Sequence, residues 1–221
     1  MSEPVTIGAI SIGQSPRPDL LAPLRGRLPA DRVTIVEIGA LDGLSVDGRA
    51  VPAAAGYPLT TRLRDGSAVT VDEAFLEPLV QAAVDEVERR GCVVSILLCA
   101  GGFAGVHGTR PIVRPFEIAV ATLHSLGIEW IAVVVPIEAQ VEPSRRKWST
   151  TGLSAVIRSA RLHDAPAAIA RDVETGVEAV VLDYVGHPAD AVRRLRGLLD
   201  RPVIDPGDLA AATLASLVAA R

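Results

Sequence analysis

Aromatic side chains are scarce: three Phe, two Tyr and two Trp make up 3% of the 221 residues. That is too few for a platform on which nucleobases stack. Positive charge is also short, with 22 Lys and Arg against 26 Asp and Glu for a formal net charge of -4. The chain therefore lacks the basic footprint of a nucleic-acid binder, and the short runs Arg145-Arg146-Lys147 and Arg193-Arg194 read as exposed helix faces. Only Cys92 and Cys99 are present, which is no disulfide framework. Seven residues apart on one extended segment, they would lie roughly 23 Å from each other, beyond the reach of a bridge. No apolar run approaches the roughly 20 residues that span a bilayer, and the longest, around Ile128 to Pro136, is interrupted by Glu129. The N-terminus has an early acidic residue and no basic region before its short apolar run, so it does not read as a secretory signal; a cytoplasmic location without membrane contact is expected. The four histidines, His107, His124, His163 and His187, form no ligand pair at helical spacing, so neither a metal nor another cofactor is expected.

What the chain does have is apolar mass, 49% of its residues, enough for a sizeable core. Short β-branched runs alternate with helical patterns almost from end to end. Strands are expected at Val5 to Ile12, Val33 to Ile38, Val93 to Leu98, Glu129 to Val135, Ala155 to Ser159, Val177 to Leu182 and Pro202 to Ile204. Helical spacing predicts Pro16 to Arg27, a helix through Leu76, Val80, Val84 and Val87 that Pro78 starts or bends, Arg114 to Ser125, Ile137 to Trp148, Ala165 to Gly176, Pro188 to Leu199 with Leu198 inward, and Pro206 to Ala220. An "RDG" turn between Thr60 to Leu63 and Ala68 to Val71 predicts a hairpin. The alternation implies α/β architecture with parallel sheets covered on both faces, in which polar groups gather at the carboxyl ends of strands. Four such ends are conspicuous: "GQSPR", "CAGGF", "PIEAQ" and "DYVGH". Two fall in each half of the chain, which suggests two pseudo-symmetric lobes, 1–113 with 205–221 and 114–204, facing each other across a cleft.

Cys99 is the sharpest chemical candidate. It stands at the mouth of a predicted parallel strand, and Ala100-Gly101-Gly102 allow close backbone approach, with amide N–H groups aimed at an anion. A small apolar plug is the competing role, since free Cys is among the most buried residue types. Asp183 and Tyr184 leave a buried run together with His187 close behind; all three side chain types move protons, although Asp183 or His187 could equally cap the next helix. Gln14, Ser15 and Arg17 bring an amide, a hydroxyl and a guanidinium to one strand end. A helix cap is the competing role for Ser15, while Arg17 and Arg62 are each able to grip a carboxylate bidentately. The glycine-bearing segment "GVHGTRPIVRP" has neither the strand-GxGxxG-helix context nor a Walker lysine, so it does not read as a nucleotide site.

The segments "SIGQSPRPD", "EIGALDGL", "LTTRLRDG", "LLCAGGF" and "LDYVGH", in that order, resemble the AroM family over nearly the whole length. That family is similar to the aspartate/glutamate/hydantoin racemase superfamily, and the resemblance implies its fold of two α/β lobes with the active site between them. It also implies that Cys99 matches the first of two catalytic cysteines, that Tyr184 stands where the second would be, and that Gln14-Ser15 replace an Asp-Ser pair. Gly101 and Gly102 fall in the carboxylate-binding loop, and Gln140 lies at the equivalent strand end of the second lobe. The expected ligand is a small carboxylate or imide bound by Gln14, Ser15, Arg17, Arg62, Gly101, Gly102, Gln140 and Asp183. The expected reaction is one-sided, because one thiol and a phenol cannot both give and take a proton on each face: an isomerase, a decarboxylase or a lyase, or else a binding protein that has lost catalysis. A homodimer is expected from the superfamily alone.

Overall fold

Apolar residues on both faces of successive strands determine the architecture. The computed structural model describes residues 4–44, 56–162 and 166–219, so His163, Ala165 and Ala220 lie outside the described residues. The chain divides into two compact units, one running through Pro115 and resuming at Ala210, the other Phe116–Leu209. Each is built on a four-stranded parallel sheet.

In the first unit β1 (Val5–Ser11) lies between β2 (Val33–Gly39) and β5 (Ser95–Leu97), and β6 (Ile112–Val113) pairs beyond β5. Helix α1 (Pro18–Arg25) opens with proline at its first position and buries Leu20, Leu21 and Leu24. Strands β3 (Pro58–Arg62) and β4 (Ala68–Asp72) form the antiparallel hairpin read from "RDG". Helix α2 (Glu73–Arg89) begins because the Asp72 carboxylate accepts from the Ala74 amide, a side-chain cap that satisfies an otherwise orphaned donor. Pro78 therefore neither starts the helix nor marks its boundary; it lies inside. The apolar stripe Leu76, Val80, Val84 and Val87 packs against Ile10, Leu59, Val71 and Leu97 in one cluster.

The second unit repeats the plan. Strand β7 (Trp130–Val135) sits between β8 (Ser154–Ser159) and β9 (Ala179–Leu182), with β10 (Val203–Ile204) beyond β9. Alternate β7 residues enter separate cores: Ile131, Val133 and Val135 join one cluster, Ala132 and Val134 the other, as period two requires of a strand buried on both faces. Helices α3 (Pro115–Ser125) and α4 (Val141–Ser149) contribute to the first cluster, α5 (Pro166–Asp172) and α6 (Ala189–Leu198) to the second; α7 (Pro206–Ala219) ends the chain.

Several expected boundaries move. The predicted strand Val93 to Leu98 is hydrogen-bonded as a strand only over Ser95–Leu97. The predicted helix from Ile137 divides into a 3-10 turn, Glu138–Gln140, and α4. Leu198 is 54% exposed rather than inward. Strand β6 was not anticipated, because two residues carry no periodicity.

Candidate functional site

Beyond β1 the backbone turns through Gly13, and the polar residues there bind one another. The Gln14 side chain donates from Nε2 to the carbonyls of Leu41 (3.2 Å) and Leu44 (3.1 Å) and accepts the Arg64 amide (2.9 Å). Both its donors are used and its oxygen is engaged. Gln14 is thus a brace between loops. Ser15 gives its amide to Asp42 Oδ1 and its hydroxyl to Oδ2, each at 2.7 Å. It neither caps α1, whose N-cap Arg17 makes no side-chain capping bond, nor offers its hydroxyl proton to a substrate.

Asp42 also accepts the Gly39 amide (2.8 Å) and Arg64 Nη2 (3.3 Å), while Arg64 Nε donates to the Ser15 carbonyl (2.8 Å). The motif segments around Gln14, Asp42 and Arg64 are therefore one hydrogen-bonded cluster. Gly39 permits it: a Cβ there would lie 2.5 Å from the Gly13 oxygen and 2.6 Å from the Ser15 nitrogen. Asp42 and Arg64 went unrecognised because each reads in sequence as an ordinary turn residue. Replacing Gln14 by Leu should lower stability by about 1–2 kcal/mol without any ligand present, measured by urea denaturation, because three bonds at a part-exposed site are lost.

Arg17 is 9% exposed, and each of its three guanidinium nitrogens makes a bond to the protein. Nε and Nη2 grip Asp19 at 2.9 and 2.8 Å, Nη1 reaches Thr61 Oγ1 at 3.3 Å, and the Arg17 hydrogen bond is the chief cause holding the Asp19 carboxyl below its ordinary range. The carboxylate that Arg17 grips in the structure is that of Asp19. Arg62 ends β3 with an exposed side chain, and its carbonyl accepts the Gln14 amide at 3.1 Å.

Cys99 follows β5 by two residues. It is 7% exposed, shares the apolar cluster of Ile10, Leu59 and Phe103, and its Sγ accepts the Gly101 N–H at 3.3 Å. The plug and the oriented thiol thus describe the same side chain. No larger residue fits at Gly101, where a Cβ would meet Phe103 Cε2 at 2.6 Å. Phe103 itself is fully buried at φ 41°, a left-handed conformation costing a non-glycine residue about 1–2 kcal/mol. Its N–H donates to Glu73 Oε1 at 2.7 Å, and its carbonyl accepts Arg114 Nη1 at 3.0 Å. Farther along, Gly105 donates to Glu77 (2.7 Å), His107 to Gln81 (2.8 Å) and Arg110 to Glu88 (2.8 Å). One face of α2 thereby satisfies the amides of the glycine-bearing loop. Cys92, 2% exposed, is the structural cysteine, and burial pushes its thiol pKa up.

In the second unit the "DYVGH" segment follows β9. The side chain of Asp183 is fully buried, accepting from Lys147 Nζ (2.8 Å) and Trp148 Nε1 (2.7 Å). Lys147 also lies 4.5 Å from the Phe116 ring centroid, a cation–π contact. Lys147 thus turns inward while Arg145 and Arg146 stay exposed, which corrects the reading of that run as wholly solvated. The two Asp183 oxygens hold the Lys147 and Trp148 donors, and the N-cap of α6 is Pro188, without a side-chain bond.

Tyr184 is half-buried and packs on His187, ring centroids 3.6 Å apart at 46°. His187 is 8% exposed, its Nε2 lies 3.3 Å from the Leu182 carbonyl, and Nδ1 has no hydrogen-bond partner among the described residues. Burial pushes its pKa down to about 4, so the ring is neutral at ordinary pH. Gln140 closes the 3-10 turn after β7 with its side chain 3% exposed. A cavity of about 150 Å³ beneath α5, lined by Ala132, Val134, Arg158, Arg161, Ile169 and Val173 among others, contains none of the sequence-predicted site residues. Among the described residues no group of three or more His, Cys, Asp or Glu side chains is placed to hold a metal ion, and no helix is long and apolar enough to cross a membrane.

Two α/β units on parallel sheets, with a thiol and a phenol each just past a strand's carboxyl end, define a protein of the Asp/Glu racemase-like fold. The family model described as AroM protein matches residues 7–218, and the chain belongs to that family. An allantoin racemase from Klebsiella pneumoniae is similar in structure with a TM-score of 0.66 and 20% identity, over 98% of this chain and 88% of its own. A mutant arylmalonate decarboxylase in its liganded form gives 0.65 and 15%, over 96% and 92%. The maleate isomerase Iso from Pseudomonas putida S16 gives 0.62 and 17%, over 97% and 93%. No curated protein sequence matches the chain. At such identities the structural likeness establishes the fold alone.

Proposed function

We propose that this AroM-family chain is a cofactor-independent cysteine enzyme acting at a carbon α to a carboxylate, on a small carboxylate or imide, by isomerase, decarboxylase or lyase chemistry. The carrying observation is the Gly101 amide donated to Cys99 Sγ at the carboxyl end of a parallel strand. An N–H on sulfur favours the thiolate, the form that takes a proton or attacks carbon. The structural relatives named for a racemase, an isomerase and a decarboxylase support the reaction class. In this reading Cys99 is the acid, base or nucleophile, held by the Gly101 N–H, the Gly102 amide with Arg62 receives the carboxylate, and Tyr184 is the second proton donor. A phenol returns a proton to a carbanion more readily than it abstracts one from carbon, which favours a one-sided reaction over racemisation. Substituted malonates, maleate, hydantoins and amino acids are the substrates to screen. Cys99→Ala should lower turnover by about 10²–10⁴, and an undiminished rate would remove the mechanism.

A second reading, a carboxylate-binding protein without catalysis, is favoured by the 7% exposure of Cys99. It predicts thermal stabilisation by a small carboxylate, no product, and no alkylation of Cys99 by iodoacetamide at neutral pH.

A further inference from the structure

The left-handed Phe103 is the only non-glycine residue with positive φ among the described residues, and it lies four positions after Cys99. Strain of this kind persists where neighbouring structure over-determines it, and it concentrates at functional sites. Here the over-determination is explicit. Glu73, the first residue of α2, takes the Phe103 N–H, and Arg114, just before α3, takes the Phe103 carbonyl with one arm and the Val106 carbonyl with the other. The ring so fixed packs against Gly101, leaving no room for a Cβ, and the Gly101 amide meets the sulfur. We infer that Glu73 and Arg114 are positioning residues for Cys99: by clamping the Phe103 backbone on both sides they hold the Gly101 N–H on the thiol.

This rests on the reading of Cys99 as the working thiol. The same helix supplies an internal control. Glu77, Gln81 and Glu88 bind amides of the same loop beyond Phe103, so they stabilise the loop without acting on the turn. A general role for α2 as a loop staple would make all four side chains equivalent, whereas positioning singles out Glu73.

Thiolate formation at Cys99 is read as the far-ultraviolet absorbance difference between each protein and its Cys99→Ser counterpart as pH rises. In Glu73→Ala the midpoint should move upward by about one pH unit, a roughly tenfold loss of thiolate below it, because a hydrogen bond to the charged form is lost. Glu73→Gln keeps an oxygen acceptor and should titrate close to the parent. Glu77→Ala should lower the thermal midpoint and leave the titration where it was. Should Glu73→Ala not fold, Arg114→Lys, which keeps the charge and loses the fork, carries the same upward shift. The inference is overturned if these variants titrate as the parent does, or if Glu77→Ala shifts as far as Glu73→Ala. A shift with no turnover on any substrate sinks the catalytic reading and leaves the positioning intact. Turnover that depends on Cys99 without a shift in Glu73→Ala sinks the positioning alone.

Discussion

Asp183→Ala should destabilise the second unit by about 3–5 kcal/mol, because removing one partner of a buried ion pair leaves the other charge uncompensated. The Asp183 side chain is 0% exposed and that of Lys147 is 9% exposed, so neither is relieved by water. The substitution strands the Lys147 ammonium against the Phe116 ring and removes the acceptor of the Trp148 indole N–H. Lys147→Met should also cost stability, but the double variant should lose less than the two single losses added, since each single leaves a charge that the double does not. Both tryptophans of the chain, Trp130 and Trp148, belong to the second unit. Urea unfolding followed by tryptophan fluorescence therefore reports on that unit directly. A loss below about 1 kcal/mol for Asp183→Ala would show that the pair behaves as an exposed one.

The same pair shows where sequence reasoning reaches its limit. Lys147 stands beside Arg145 and Arg146 and reads as the third cation of a solvated run; only the helix phase, with Ser144 and Trp148 buried, brings it toward the core, and its partner lies 36 residues away. The parallel sheets were legible because a strand buried on both faces needs apolar residues at every position, a local signal that β7 displays. Cys99 stands out in the sequence for a similarly local reason, as a thiol followed by Ala100 and then two glycines. Gln14 and Ser15 are read in sequence as ligand-facing groups, and in the fold their side chains bond to neighbouring loops. Polar residues past a parallel strand can serve a ligand, but loops there have groups of their own to satisfy, and here the carbonyls of Leu41 and Leu44 engage Gln14 and the Asp42 carboxylate engages Ser15. Glu73 was overlooked altogether, since an acidic residue in a helix's first turn is already explained by the dipole; its bond to an amide 30 residues on exists only in the fold.

Asp205→Asn should make the second unit acid-sensitive over a range in which the unaltered protein is not. Burial pushes His187 down to about 4 from 6.5, so its folded form resists protonation; stability is full above pH 6.5 and falls as pH drops toward 4. Asp205, before α7, accepts the Gly207 and Asp208 amides, yet burial pushes its carboxyl up to about 6 from 3.8. Its contribution has the opposite sign, present below pH 3.8 and lost as pH rises through 6. Between about pH 4.5 and 6 the folded chain holds a neutral His187 and a protonated Asp205, while the unfolded chain holds a charged imidazole and a carboxylate. Each state carries one proton on the pair, so the two slopes cancel. Asparagine keeps a capping oxygen and removes the titration. Stability of Asp205→Asn should then fall by about 1.6 kcal/mol from pH 6.5 to 5, the slope steepening toward about 1.4 kcal/mol per pH unit. His187→Gln should do the reverse, gaining stability as pH falls from 6 to about 4.5. Carboxylates held below their ordinary range, such as Asp19 and Glu88, lose their contributions only at lower pH and do not enter this window. Urea titrations by tryptophan fluorescence at half-unit steps of pH decide the matter: a flat profile in Asp205→Asn would mean that His187 protonates as readily folded as unfolded.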